Sequence, residues 1–150
     1  MKRIVVGLND LTHPRSDAIE RFMTRDPVCI DANQPISDAY QRMIRTGCRH
    51  LPLLLAGKLV GVVSLRGLCR LDCVDGLSRV TRPVFDAVEE PFVVVPGTPV
   101  IEVAAQMAAS GYQAALVVDR GEVVGIFTEA DAIRALVPLT FRLGTRATTT

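Results

Sequence analysis

At 150 residues and 49% hydrophobic content, the chain has apolar material for one ordinary domain or two small units sharing a core, which excludes a disordered chain. Seventeen basic against sixteen acidic residues leave a net charge of +1, with 5% aromatics and no long basic run. The electrostatic footprint of a nucleic-acid binder is therefore missing, and any bound anion is expected to be held locally.

The opening "MKRIVVGLND" carries an apolar run too short for a signal-peptide core or a membrane span, so it reads as an added strand or arm and the protein as cytoplasmic. Cys29, Cys48, Cys69 and Cys73 form no C-x-x-C pair and are expected to be reduced and packed. Cys69 and Cys73 could share a helical face, but without a second pair of ligands nearby they do not read as a zinc site. His13, before Pro14, reads as loop, and Ser16 as a helix cap leading to the apolar Ile19 and Phe22. From there the chain repeats. Residues 27–70 align without a gap on 91–134, matching Pro27 with Pro91, Pro35 with Pro99, Met43 with Met107, Gly47 with Gly111, Gly57 with Gly121, Val60 with Val124, Gly61 with Gly125 and Arg70 with Arg134. Gly and Pro at matching turns are informative because backbone geometry restricts what can stand there.

Each copy reads in the same order. "PVCID" and "PFVVV" predict a first strand. Helices follow, with Ile36, Ala39, Tyr40, Met43 and Ile44 on one face of the first and Val100, Val103, Ala104, Met107 and Ala108 on one face of the second. Proline at the first helical position and glycine past the last frame both. "HLPLLLAGKLVGVVS" and "AALVVDRGEVVGIFT" each predict a hairpin around a glycine, and "LRGLCRL" and "EADAIRALV" a closing helix. The organisation expected is an arm over 1–19, a first repeat over 20–71, a linker over 72–84 entering a short helix near Pro83, a second repeat over 85–137 and a frayed tail over 138–150.

The ends of the two hairpins differ in one respect. "GVVSLRG" closes on Gly67, whereas "GIFTEAD" closes on Asp131. Thr128 falls where a strand turns into a helix, so neighbouring N–H groups and the helix dipole favour an anion there. Asp131, one turn on, has two acceptor oxygens suited to the vicinal hydroxyls of a ribose. Thr-x-x-Asp before an apolar run is equally close to a capping box, in which both side chains merely satisfy the first turn. In "TGCRHLP", Arg49 presents a fork of donors for phosphate and His50 a further donor, or the two form a solvated strand entry beside a turn.

The duplicated order, with "GCRHLPLL" leading into the second strand and "GIFTEAD" closing the third, resembles a tandem pair of CBS domains, a Bateman module, over roughly residues 20–137. The resemblance implies an α/β (α+β) fold of two β-α-β-β-α repeats packed about a pseudo-twofold axis. It implies a regulatory module without catalysis or a required cofactor, binding AMP, ADP or ATP, with S-adenosylmethionine or NAD as alternatives, in clefts between the repeats. It also implies a homodimer acting on an unidentified protein effector. Carried over, Thr128 and Asp131 would face Arg49 and His50, with Met23, Thr24, Val28 and Cys29 around the base. The opposite cleft would hold Ser64, Gly67, Gln113 and Ala114, with Val88 and Phe92 near the base; it lacks the carboxylate and the basic pair and is expected to be degenerate. The alternative is a structural dimerisation or interaction module with both clefts empty. No nucleophile elbow, phosphate loop or H-E-x-x-H motif points to an enzyme.

Overall fold

In a computed structural model of the chain, residues 5–6, 17–75 and 81–135 are described. The first repeat contributes β3 (Ile30–Asp31), α1 (Ile36–Thr46), β4 (His50–Leu55), β5 (Lys58–Ser64) and α2 (Leu65–Asp75), preceded by β1 (Val5–Val6) and β2 (Thr24–Arg25). The second contributes β6 (Phe92–Val94), α3 (Val100–Ser110), β7 (Ala114–Asp119), β8 (Glu122–Thr128) and α4, described over residues 129–135. Short 3₁₀ turns at Ile19–Arg21 and Val84–Ala87 lead into the two repeats. The architecture is a mixed α+β fold with two small sheets.

Local chemistry accounts for the elements. Pro35 and Pro99, expected as the first helical residues, stand instead at the N-caps, one residue ahead of Ile36 and Val100, with φ near the value the ring imposes. Gly47 and Gly111 end α1 and α3 at φ 71° and 72°, a left-handed conformation that favours glycine. The two-residue hairpin turns, Ala56–Gly57 and Arg120–Gly121, have positive φ at both positions, the twist that matches adjacent strands. α1 buries Ile36, Ala39 and Met43, and α3 buries Val100, Val103 and Met107. The wider apolar faces expected are corrected at their edges, since Ile44 is 80% exposed and Ala108 is exposed. α2 extends to Asp75, into the stretch expected as linker.

The sheets are ordered β3-β4-β5 and β1-β6-β7-β8-β2. β2 thus leaves its own repeat and pairs antiparallel with β8, Thr24 opposite Ile126, while Glu89 bridges antiparallel to Val62 on β5. The lead-ins are exchanged. Ile19 and Met23 pack in the second repeat's core with Phe92, Val103, Met107 and Phe127. Val84 and Ala87 pack in the first with Ile36, Met43, Leu51 and Leu68. A third cluster, with Leu59 and Val62 against Leu116 and Ile126, joins the two sheets. Each lead-in belongs spatially to the other copy. β1 pairs parallel with β6, as an added strand. His13, Ser16 and residues 138–150 lie outside the described residues, as does the side chain of Cys73.

Candidate functional site

The exchange brings the start of α4 and the lead-in of β4 to one cleft of about 1020 Å³. Its walls include Thr24, Val28, Arg49 and His50 from the first half of the chain and Thr128 and Asp131 from the second. Arg66, Gln113, Glu129 and Arg134 also line it. Among the described residues no group of three or more His, Cys, Asp or Glu side chains could hold a metal ion, and no helix is long and apolar enough to cross a membrane.

Thr128 caps α4, and Asp131 reaches back to it: Asp131 Oδ2 accepts hydrogen bonds from the Thr128 N–H and hydroxyl, both at 2.9 Å. This is the carboxylate half of a capping box. Asp131 Oδ1 accepts from Arg134 Nη1 at 3.0 Å, a guanidinium whose side chain is 75% exposed. One oxygen is therefore committed to the helix and the other is held by a solvated, displaceable partner. Arg49 is exposed in the same cleft, and its carbonyl accepts from the Leu65 N–H, which ties the β4 lead-in to the start of α2. His50 is half-buried, and its Nε2 is a buried atom without a hydrogen-bond partner. Burial holds the imidazole below its ordinary pKa, against the opposing influence of Glu89, Gln113 and Glu129; the Arg49 charge lowers it further. At neutral pH it is an uncharged group with an unused polar atom.

Not every expected residue faces this cleft. Met23 is core, 9% exposed, with its side chain over Gly125, where an added Cβ would stand 2.1 Å from Sδ. Cys29 is absent from the lining: its thiol donates to the Pro27 carbonyl, its own carbonyl accepts from Arg42, and burial raises its pKa. Ser64 and Gln113, expected in the opposite cleft, open onto the same cleft as Arg49 and Asp131. Phe92, expected near a base, is 1% exposed and stacks on Tyr112 with ring centroids 5.0 Å apart. Ala114 is 9% exposed, packed between the sheets, and Val88 packs on the first repeat's core. The start of α2 does not lack a carboxylate either: Glu89 Oε1 accepts from the Ser64 hydroxyl at 2.6 Å.

Arg134 was legible as the i+3 partner of Asp131 and as a match to Arg70. Glu89 had no such signal. Repeat alignment sets Thr24 against Val88, but the structure sets Thr24 opposite Ile126 and Glu89 opposite its counterpart Val62, an offset of one residue.

Two segments of the chain, residues 19–72 and 82–138, match the family model of the CBS domain. Among curated proteins, an uncharacterized 17.7 kDa protein of Acidianus ambivalens is 40% identical over 53 residues, 35% of this chain and 32% of that protein. A second, MJ0188 of Methanocaldococcus jannaschii, is 26% identical over 123 residues, 81% of this chain and 45% of the other. The chain thus spans less than half the length of either. Among solved structures, a putative acetoin utilization protein (AcuB) of Vibrio cholerae superposes with a TM-score of 0.73 at 28% identity, covering 88% of this chain and 98% of that one. CBSX2 in complex with AMP superposes at 0.70 and 24% identity, covering 82% and 98%. The CBS domain pair of MJ0100, in complex with 5′-methylthioadenosine and S-adenosyl-L-methionine, superposes at 0.73 and 22% identity, covering 81% and 97%. The chain belongs to the CBS domain family, as a tandem pair.

Proposed function

We propose that the cleft binds an adenosine-containing nucleotide of the AMP, ADP or ATP class, and that the chain is a non-catalytic module reporting that ligand to a protein partner. The observation that carries this reading is the meeting of Asp131 and Thr128 with Arg49 and His50 across one cleft. In this arrangement Asp131 Oδ1 exchanges the exposed Arg134 for a ribose hydroxyl, Arg49 meets phosphate as a planar fork of donors, and the unpartnered His50 Nε2 gains a partner. Two solved CBS pairs of the same fold, CBSX2 with AMP and MJ0100 with 5′-methylthioadenosine and S-adenosyl-L-methionine, support the ligand class. Binding that favours one arrangement of the repeats over another is what transmits the signal.

The commitment of Asp131 to Thr128 and Arg134 supports a second reading, in which the motif is only a helix cap and the module serves dimerisation or docking. Calorimetric titration with adenosine, AMP, ADP, ATP and S-adenosylmethionine separates the two. The nucleotide reading expects saturable binding, weakened for AMP but not for adenosine by Arg49→Ala. Absence of binding by all five ligands rejects it.

A further inference from the structure

The two helix starts solve the same capping problem with carboxylates from different places. At α4, Asp131 of the helix itself accepts from Thr128. At α2, the Gly67 N–H donates to Ser64 Oγ at 2.9 Å, and the Ser64 hydroxyl donates in turn to Glu89 Oε1 at 2.6 Å. A Cβ built on Gly67 would stand 2.3 Å from that same oxygen and 3.5 Å from the Glu89 carboxyl carbon. Glu89 thus places its carboxylate against the position of the side chain that Gly67 lacks.

The backbone holds it there. Glu89 is locked to β5 by two hydrogen bonds, Glu89 N–H to Val62 O at 2.8 Å and Val62 N–H to Glu89 O at 3.1 Å. The segment can lie that close only because residue 61 is glycine: a Cβ there would be 2.3 Å from Val88 Cγ2 and 2.9 Å from the Glu89 carbonyl oxygen. The residue in the corresponding strand position of the other half is Thr24, a short side chain that leaves its cleft open. Glu89 replaces it with one that reaches across.

We propose that Glu89 is a tethered internal occupant of the α2 helix start, a specificity-determining residue that closes this end of the cleft, the end lined by Ser64 and Arg66, to ribose-containing ligands. Its carboxylate takes the hydroxyl at the helix start and the space above Gly67, and its charge repels any phosphate brought to that helix start. Gly67 is glycine because Glu89 needs the room. The ligand class excluded rests on the reading of Asp131 as a ribose acceptor, whereas the packing of Glu89 against Ser64 and Gly67 does not.

Two measurements on the full chain test this. In the first, which needs no ligand, Gly67→Ala is made in the wild type and in Glu89→Thr. Replacing a helical glycine by alanine, where there is room for the methyl group, raises Tm by about 2–4 °C for a chain of this size. That rise is expected in Glu89→Thr, and a fall in the wild type. In the second, equilibrium dialysis with adenosine compares the wild type, Gly67→Asp, and Gly67→Asp combined with Glu89→Thr, each also carrying Asp131→Ala. Moving the carboxylate from position 89 to position 67 is expected to add one adenosine per chain, and Gly67→Asp alone to add none. Because the gain is counted in the Asp131→Ala background, it is read whether or not the Asp131 end of the cleft binds. The same Tm change in both backgrounds, or equal adenosine uptake by the wild type and the double variant, overturns the proposal.

Discussion

Asp131→Ala separates capping from ligand recognition, because the two oxygens of this carboxylate have different partners. Losing the Oδ2 contacts removes the carboxylate half of the α4 capping box, at about 0.5–2 kcal/mol. The Oδ1 ion pair adds about 0–1 kcal/mol, since the Asp131 side chain is only 7% exposed but the Arg134 side chain is 75% exposed and screened. A combined loss of about 0.5–3 kcal/mol lowers Tm by about 1–12 °C for a chain of this length. The ligand effect is separate: a charge-assisted hydrogen bond contributes about 1.5–3 kcal/mol, and tenfold in affinity is about 1.4 kcal/mol. Adenosine-nucleotide affinity should therefore fall about ten- to a hundredfold. Arg134→Ala is the control, expected to leave Tm nearly unchanged and to hold or improve affinity by freeing Oδ1. Differential scanning fluorimetry and calorimetric titration below the lowered Tm read both quantities. A fall in Tm with unchanged nucleotide affinity would falsify the ribose role and leave Asp131 as a cap.

His50 predicts a pH dependence. Its folded pKa lies below the ordinary 6.5, chiefly through burial, so between those two values the unfolded chain binds more protons than the folded one. Stability is full above about pH 6.5 and declines as pH falls toward the folded value; Tm profiles from pH 8 to 5 should be flatter in His50→Asn, and parallel profiles would count against the assignment. The two close-packed strand glycines should respond unequally to alanine. Gly61→Ala meets a backbone oxygen and a β-branched side chain and should cost about 1–3 kcal/mol, whereas Gly125→Ala meets only the pliable Met23 and should cost less, as urea denaturation midpoints can show. For assembly, Ala105, Ala108 and Ala109 lie exposed on α3, and Ile101 is 53% exposed at its start. A homodimer through the helices predicts that Ala105→Glu or Ala109→Glu yields monomers by light scattering; a monomeric wild type at high micromolar concentration would reject it.

What the sequence determined by itself is local or periodic. The repeat, the two hairpins, the glycine ends of α1 and α3 and the core stripes of both helices were legible because φ restrictions at Gly and Pro and the 3.6- and 2-residue periods act over a few neighbours. The segments that build the candidate cleft were also legible, since Thr128, Asp131, Arg49 and His50 each stand at an element boundary that local pattern locates. Tertiary structure alone decided what crosses between the copies. The hydrophobic lead-ins could have packed at home; they exchange because the open edges of β5 and β8 accept them, each beside a glycine that removes the clash. That pairing sets Glu89, rather than the aligned Val88, opposite Val62, sends Met23 into the core and delivers a carboxylate to Gly67 from 22 residues away in sequence. A one-residue change of strand register turns a side chain to the other face of the sheet, and register between distant segments is set by packing across the whole core, which no local window of residues contains.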